Sequence, residues 1–172
     1  YETLFPYTTL FRSVSEIRHV HHGGNSSGVV DGASALLLAS PDYARAHGMT
    51  PRAKVTMAAV AGDEPVIMLT APGPATDLVL RKAGMALSDI DLFEVNEAFA
   101  AVLLKWLRHT GADWDTVNVN GGAMALGHPI GATGGMLIGT VLDELERQDK
   151  ETGLVTMCTG GGMATATIIQ RV

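Results

Sequence analysis

The sequence predicts an α/β fold, in which short apolar strands alternate with amphipathic helices. Apolar residues form 47% of the 172 positions and charged residues 17%, a composition that supports a buried core rather than disorder. Segments with strand-like and helix-like spacing of apolar residues follow one another along the chain, as in layered α/β domains. Glycine occurs 20 times, and seven of these glycines lie from Gly121 to Gly139. The length corresponds to one domain with an incomplete neighbour.

The first half of the chain is predicted to contain two helices and two strands. A glycine-rich loop at 23–32 precedes an apolar run, Ala33–Ala39, that we expect to be buried as helix or strand. Both helices have a glycine just past their end, at Gly48 and Gly84, and the first has a proline near its start. In chain order the segments are helix Pro41–His47, strand Ala53–Ala61, loop Pro65–Pro74, helix Ala75–Ala83 and strand Asp91–Val95.

The second half begins with a predicted helix cap and ends in a predicted hairpin. Asn96 is expected to cap a helix that stops at Gly111, with Glu97 favourably placed near the positive end of that helix. Thr116–Val119 is expected to form another short strand. A later helix shows one apolar stripe, and a glycine turn joins the last two strands. The stripe consists of Ile138, Val141, Leu142 and Leu145, and the two strands are Leu154–Cys158 and Met163–Val172.

Charge, cysteine content and hydropathy argue against several classes of function. The net charge of −6 and the lack of a Lys/Arg cluster argue against a nucleic-acid partner. A single cysteine excludes an intrachain disulfide and a cysteine-rich zinc site, and the histidines show no metal-ligand spacing, so no metal is expected. No apolar run reaches the ~18 residues of a membrane span, and no signal peptide is evident. We therefore expect a cytoplasmic protein without a membrane span.

Polar side chains at the strand ends are the candidates for chemistry, because α/β proteins place their sites there. Cys158 ends a strand and precedes three glycines, which let a substrate approach closely; the alternative is a buried structural cysteine. His128 lies in Gly-His-Pro-Ile-Gly, where Pro129 restricts it to extended geometry; the alternative is an ordinary loop histidine. Asn96 is either a further site residue or only a helix cap. A phosphate-binding loop is excluded, because His128-Pro129 stands where lysine and a hydroxyl residue are needed.

Four segments carry a resemblance to a known family. They are GGNSSGVVDGA at 23–33, NEAFA at 96–100, NVNGGAMALGHPIGATG at 118–134 and CTGGGMATATI at 158–168. In this order they resemble the thiolase family, the acyl-CoA C-acyltransferases, with Thr133 where many members carry serine. The resemblance implies a layered α-β-α-β-α architecture, of which this chain holds mainly the C-terminal βαβαββ half.

The resemblance also implies a role for each site residue. Cys158 looks like the acid/base that moves the α-carbon proton of a thioester, a role that suits a thiol whose pKa of ~8.5 is lowered by an electropositive site. His128 looks like the residue that activates a nucleophilic cysteine and helps hold a thioester oxygen. Asn96 looks like the group that positions a water in the same oxyanion hole. The Gly160 N–H resembles part of a second oxyanion hole.

Coenzyme A is the partner that the resemblance implies. Ser27 and Ala98 resemble residues that line the pantetheine channel. CoA and acyl-CoA would be substrates, with no tightly bound cofactor. The reaction would be thiolytic cleavage of 3-ketoacyl-CoA, as in fatty-acid β-oxidation, or the reverse Claisen condensation, and both directions stay open. Members of the family usually form homodimers or homotetramers.

One departure from the family concerns the nucleophile. The nucleophilic cysteine of thiolases lies in an N-terminal half, and Cys158 is the one cysteine of this chain. We therefore expect residues 49–172 to be the C-terminal domain, 14–48 a remnant of the N-terminal region and 1–13 a non-native segment, and we expect the chain alone to be inactive. Two alternatives are a non-catalytic CoA- or acyl-binding module and a condensing enzyme of the ketoacyl-synthase type. The Cys-x-Gly-Gly ending favours a thiolase.

Overall fold

The computed structural model describes residues 18–172, and helices and strands alternate through this part of the chain. The predicted non-native segment 1–13 lies outside the described residues. Short 3-10 turns lie at Gly23–Asn25, Leu87–Asp89 and Trp114–Thr116. The helices are α1 (Pro41–Ala46), α2 (Pro72–Ala83), α3 (Ala100–Thr110), α4 (Ala123–Leu126) and α5 (Thr133–Arg147). The strands are β1 (Ala53–Gly62), β2 (Leu92–Val95), β3 (Thr152–Thr159) and β4 (Met163–Arg171).

Within the described residues, the four strands form one mixed sheet in the order β1-β4-β3-β2. β3 and β4 form the predicted antiparallel hairpin, and β4 also pairs antiparallel with β1. β2 lies parallel to β3, with Val95 opposite Thr156. A parallel pair needs a long crossover connection, which the segment containing α3, α4 and α5 supplies. The carboxyl ends of β2 and β3 therefore meet at one edge of the sheet.

Helices cover both faces of this sheet and give three layers. α2 and α3 pack on one face, where Phe93 and Trp106 belong to the same buried cluster. α5 packs on the other face, where Leu92 and Val141 are buried together. Leu92 and Phe93 enter opposite cores because successive strand residues point to opposite faces. Full burial of each such side chain contributes roughly 1.5–3 kcal/mol. The chain thus contains the βαβαββ arrangement that the sequence predicts.

The predicted helix ends at glycine are confirmed. Gly84 and Gly111 have positive φ angles of 67° and 70° and follow the last residues of α2 and α3. Glycine adopts this left-handed conformation at little cost, which lets the chain leave the helix at once. At the other end of a helix, Pro41 opens α1 after Ser40, whose side chain accepts a hydrogen bond from the Tyr43 N–H.

The structure of two segments differs from the prediction. Residues 33–39 form neither helix nor strand, and the segment is exposed, with Leu37 83% accessible. The prediction of burial rested on the apolar composition of this segment alone, whereas the segment lies on the surface of the described part of the chain. Thr116–Val119 is not a strand, since Val117 makes a single bridge to Phe93. Asn118 has a φ of 48°, and its side chain bonds to the backbone N–H and C=O of Val95, which replaces further ladder bonds.

Candidate active site

Asn96 and Cys158 lie at the same edge of the sheet because β2 and β3 run parallel. The Asn96 N–H donates to Thr156 O at 3.0 Å, so the pairing extends one residue past β2. Cys158 is the penultimate residue of β3 and lies opposite Ala164 of β4. Adjacent strands are about 4.8 Å apart. The backbones of the two predicted site residues are therefore close at neighbouring strand ends.

His128 reaches Asn96 from the loop between α4 and α5. The His128 backbone N–H donates to Gly28 O at 2.9 Å, which fixes this loop against the glycine-rich segment near the start of the described chain. Its Nδ1 lies 2.7 Å from Thr133 Oγ1, and its Nε2 lies 3.4 Å from Asn96 Nδ2. Burial lowers the pKa of His128 below its ordinary value. This shift favours the neutral imidazole, which can accept a proton.

Asn96 contacts the site and does not act as the predicted helix cap. α3 begins at Ala100, and its N-cap position, Phe99, makes no side-chain capping bond. The cap prediction is wrong because β-pairing through the Asn96 N–H keeps this residue in the sheet. Asn96 is 1% exposed, and its Oδ1 is buried without a hydrogen-bond partner. A buried amide oxygen needs a donor, so this atom is available to a polar group that enters the site.

The Cys158 thiol is half-buried, and burial raises its pKa. This direction is opposite to the one expected from the sequence, because desolvation is the largest influence and no cation of the described residues is hydrogen-bonded to the thiol. No hydrogen bond joins the thiol to His128 or Asn96 within the described part of the chain. The backbone beyond the strand is open, since a Cβ added at Gly160 would meet no atom within 4 Å. A protonated thiol at such a place can donate a proton to a bound substrate.

Ser27 and Ala98, the two predicted channel residues, are in direct contact. The Ser27 N–H and hydroxyl both donate to Ala98 O, at 3.1 Å and 3.2 Å. Next to them, Ser26 and Phe99 form an isolated antiparallel bridge. The loop at 23–32 therefore packs against residues 96–100, and through Gly28 O the same loop accepts the hydrogen bond from the His128 backbone N–H. Ser27 and Ala98 thus belong to the same assembly of loops as the polar site residues.

Glu97 and Asn118 hold two of these loops together, and sequence reasoning missed this role. Glu97 was expected near the start of the α3 helix, but its carboxylate is buried and accepts hydrogen bonds from Asn118 Nδ2 at 2.8 Å and from the Met124 N–H at 3.1 Å. A Cβ added at Gly122 would lie 2.1 Å from Glu97 Cδ, so only glycine leaves room for this carboxylate. The Gly-Gly pair that follows Asn120 was the sequence signal for this close approach.

Glu94 is a second buried carboxyl group that the sequence analysis did not single out. It is 2% exposed and lines a cavity of about 20 Å³ together with Gly122 and Thr133. A cavity of this volume holds about one water molecule. Burial, followed by repulsion from Glu97 and Glu144, raises the pKa of Glu94 to about 8. The side chain is therefore largely protonated at neutral pH, directly behind the loop that carries His128.

Within residues 18–172, no group of three or more His, Cys, Asp or Glu side chains is placed to hold a metal ion. Across the same residues, no helix combines the length and the apolar character needed to cross a bilayer.

The fold and the site define an α/β domain that carries asparagine, histidine and cysteine where two parallel strands end. The family model for the C-terminal domain of thiolases matches residues 49–171. The chain therefore belongs to the thiolase family.

Curated relatives share about half of the aligned residues. A steroid 3-ketoacyl-CoA thiolase of Mycobacterium tuberculosis is 53% identical over 146 residues, which are 85% of this chain and 36% of that protein. An acetyl-CoA acetyltransferase of Paracoccus denitrificans is 49% identical, over 86% of this chain and 38% of the relative. A 3-ketoacyl-CoA thiolase of Pseudoalteromonas atlantica is 45% identical, over 99% of this chain and 47% of the relative. The chain thus spans less than half the length of these relatives.

Solved structures show the same fold. The acetyl-CoA acetyltransferase of Bacillus anthracis superposes with a TM-score of 0.85 and 41% identity, over 87% of this chain and 38% of that one. Human mitochondrial 3-ketoacyl-CoA thiolase in complex with CoA superposes with a TM-score of 0.81 and 40% identity, over the same two shares. Both matches confirm the predicted thiolase-like architecture for the part of the fold that this chain contains.

Proposed function

We propose that the chain supplies the C-terminal catalytic part of an acyl-CoA C-acyltransferase. The reaction is thiolytic cleavage of 3-ketoacyl-CoA, or the reverse Claisen condensation. The observation that carries the proposal is the 3.4 Å contact between His128 Nε2 and Asn96 Nδ2, at the sheet edge where Cys158 is the next-to-last residue of the neighbouring strand β3. Membership of the thiolase family favours this function over the ketoacyl-synthase alternative.

His128 and Asn96 act on the acyl-transfer half of the reaction. The neutral His128 ring takes the thiol proton of a nucleophilic cysteine that another part of the full-length enzyme provides. Protonated Nε2 then donates to the thioester oxygen as negative charge develops there. Asn96, with its unpaired Oδ1, positions a water as a second donor in this oxyanion hole. A single donor of this type is worth roughly 10²–10³ in rate.

Cys158 moves the proton at the substrate α-carbon. In the cleavage direction the bond between the α- and β-carbons breaks and leaves the enolate of acetyl-CoA, which the Cys158 thiol protonates at the α-carbon. The raised pKa of this thiol supports the donor role, because the thiol keeps its proton until the carbanion forms. The Gly160 N–H forms part of a second oxyanion hole, and the open space around Gly160 supports this role. In the condensation direction the Cys158 thiolate removes the same proton.

Ser27 and Ala98 line the channel for the pantetheine arm of CoA. The two hydrogen bonds that Ser27 donates to Ala98 O support this assignment, because they keep the two residues side by side next to the loop that bonds to His128. The human structure in complex with CoA, which shares the fold, supports CoA and acyl-CoA as substrates. We further propose that the full-length enzyme acts in fatty-acid breakdown in the cytoplasm, as a homodimer or homotetramer and without a tightly bound cofactor.

A chimera tests this function. Residues 23–172 would replace the matching portion of the Paracoccus denitrificans acetyltransferase, whose N-terminal part is retained, and thiolysis of acetoacetyl-CoA would be measured. We expect turnover, with a loss of at least about 10²-fold in the Cys158→Ala and His128→Ala variants. Lys54→Ala, on the exposed side of β1, is the matched control and should keep full activity. A folded chimera that binds CoA without turnover would favour the non-catalytic binding module.

A further inference from the structure

The Thr133 hydroxyl contacts two atoms at once, and one of them belongs to the site histidine. Its Oγ1 lies 2.7 Å from His128 Nδ1 and 2.9 Å from Pro129 O. Thr133 is 2% exposed and is the first residue of α5, so bulk water does not compete for the hydroxyl. The protein therefore fixes both contacts at hydrogen-bond distance.

The number of available protons decides how these two contacts are made. A hydroxyl group has one proton, and a neutral imidazole has one N–H. Pro129 O carries no proton, so two oxygens 2.9 Å apart attract each other only when the Thr133 hydroxyl donates to Pro129 O. The hydroxyl then presents a lone pair to His128 Nδ1, which must carry the ring proton. The reverse arrangement would leave two oxygen lone pairs facing each other.

We propose that Thr133 is a positioning residue that holds neutral His128 in the Nδ1–H tautomer. Nε2 then keeps its lone pair and accepts from Asn96 Nδ2 across the 3.4 Å contact. Neutral imidazole side chains in water prefer the proton on Nε2, so the protein reverses an intrinsic preference. This assignment delivers the lone pair to the side of the ring that faces Asn96.

The tautomer matters for chemistry because only the nitrogen with a lone pair can act as a base. Nε2 is the ring nitrogen directed at the sheet edge, whereas Nδ1 points back into the loop toward Thr133. The consequence for acyl transfer rests on the proposed function, but the tautomer itself does not. The role also predicts which substitutions are tolerated: serine keeps the hydroxyl, whereas valine keeps the shape of threonine and loses it.

Nitrogen NMR of the purified chain tests the proposal directly. The chain would be labelled with ¹⁵N-histidine, and long-range ¹H–¹⁵N spectra recorded at about pH 8, where the ring is neutral. His128→Gln identifies the His128 signals among the six histidines. In the wild type we expect a protonated, pyrrole-type Nδ1 and an unprotonated, pyridine-type Nε2. Thr133→Val should shift the ring to the Nε2–H form, and Thr133→Ser should keep the wild-type pattern.

The NMR experiment tests the tautomer of His128 and does not test the proposed acyltransferase function. A wild-type spectrum with a pyridine-type Nδ1 would overturn it, whether or not the valine variant folds. It would also be overturned by a Thr133→Val variant that keeps its backbone spectrum and the wild-type tautomer. The measurement needs no substrate, so a chimera without turnover would contradict the proposed function and leave the tautomer result intact.

Discussion

Replacing Glu94 by glutamine should change how the stability of this domain depends on pH. Glu94 is buried at the centre of β2 and lines the small cavity behind the His128 loop. Burial is the largest reason that its pKa rises from 4.5 to about 8, and repulsion from Glu97 and then Glu144 adds to it. Glutamine has almost the same shape as the protonated acid but cannot ionise. The variant Glu94→Gln therefore removes the titration and keeps the packing.

The sign of the effect follows from the raised pKa. Between pH 4.5 and about 8 the unfolded chain has released this proton while the folded chain still holds it, so stability falls as pH rises through this window. At about 1.4 kcal/mol for each pH unit, the interval sets a ceiling of about 5 kcal/mol. The cavity is large enough for about one water molecule, which would relieve part of this cost. We expect wild type to lose about 2–4 kcal/mol relative to Glu94→Gln between pH 5 and pH 8.

Urea unfolding at several pH values measures this difference. The free energy of unfolding would be compared for wild type and Glu94→Gln from pH 5 to pH 9, with Glu64→Gln as an exposed control. The difference between wild type and Glu94→Gln should grow with pH and level off above about pH 8. The control should show a constant difference. A constant offset for Glu94→Gln as well would refute the reasoning, because it would mean that Glu94 titrates alike in both states.

Four further predictions concern packing and the thiol. Trp106→Ala should lower the free energy of unfolding by about 3–5 kcal/mol in urea, because the indole is 1% exposed; a loss below about 1 kcal/mol would contradict its place in the core. Gly122→Ala should lower the free energy of unfolding by about 1–3 kcal/mol, because its Cβ would clash with the Glu97 carboxylate. Gly139→Ala should raise the free energy of unfolding, because Gly139 lies in α5 with open space around it. If Gly139→Ala were the more destabilising of the two, the clash at Gly122 would be ruled out. The purified 172-residue chain should show no thiolysis of acetoacetyl-CoA, and turnover that disappears in Cys158→Ala would disprove this. Iodoacetamide should alkylate Cys158 with a pH midpoint above that of a free thiol, because burial raises its pKa; a midpoint below it would require an electropositive site.

Features that depend only on a few neighbouring residues, such as the ends of helices, could be predicted from the sequence. Gly84 and Gly111 end their helices because the residue after the last helical turn adopts a left-handed conformation that glycine favours. This preference depends only on the local backbone, so it can be read from the sequence. The strand prediction at Thr116–Val119 failed because strand formation needs a partner along its whole length. The Asn118 side chain forms hydrogen bonds with the backbone N–H and C=O of Val95. These groups are then not available to a neighbouring strand, so the pairing stops after the single bridge between Phe93 and Val117.

The residues of the candidate site could be predicted from the sequence, whereas the contacts between their side chains could not. Asn96, His128 and Cys158 could be selected because each follows or ends a strand or lies in a stiff loop. The pairing of Asn96 with His128 depends on residues 32 positions apart, and the buried role of Glu97 depends on Asn118 and Met124. The direction of the Cys158 pKa could not be read either, since it depends on which groups surround the thiol in three dimensions. Such contacts arise from the crossover that brings β3 beside β2.

The parallel register of β2 and β3 makes the site a reporter of correct assembly. Side chains alternate between faces, so a slip of one residue would exchange the two faces of β2 and carry Asn96 to the side of α2 and α3. The Asn96 amide would then lose His128, even though most backbone hydrogen bonds could reform. A misaligned sheet would therefore look almost complete by its secondary structure and yet lack the site. The His128 ring signals would distinguish such trapped chains from native ones during refolding.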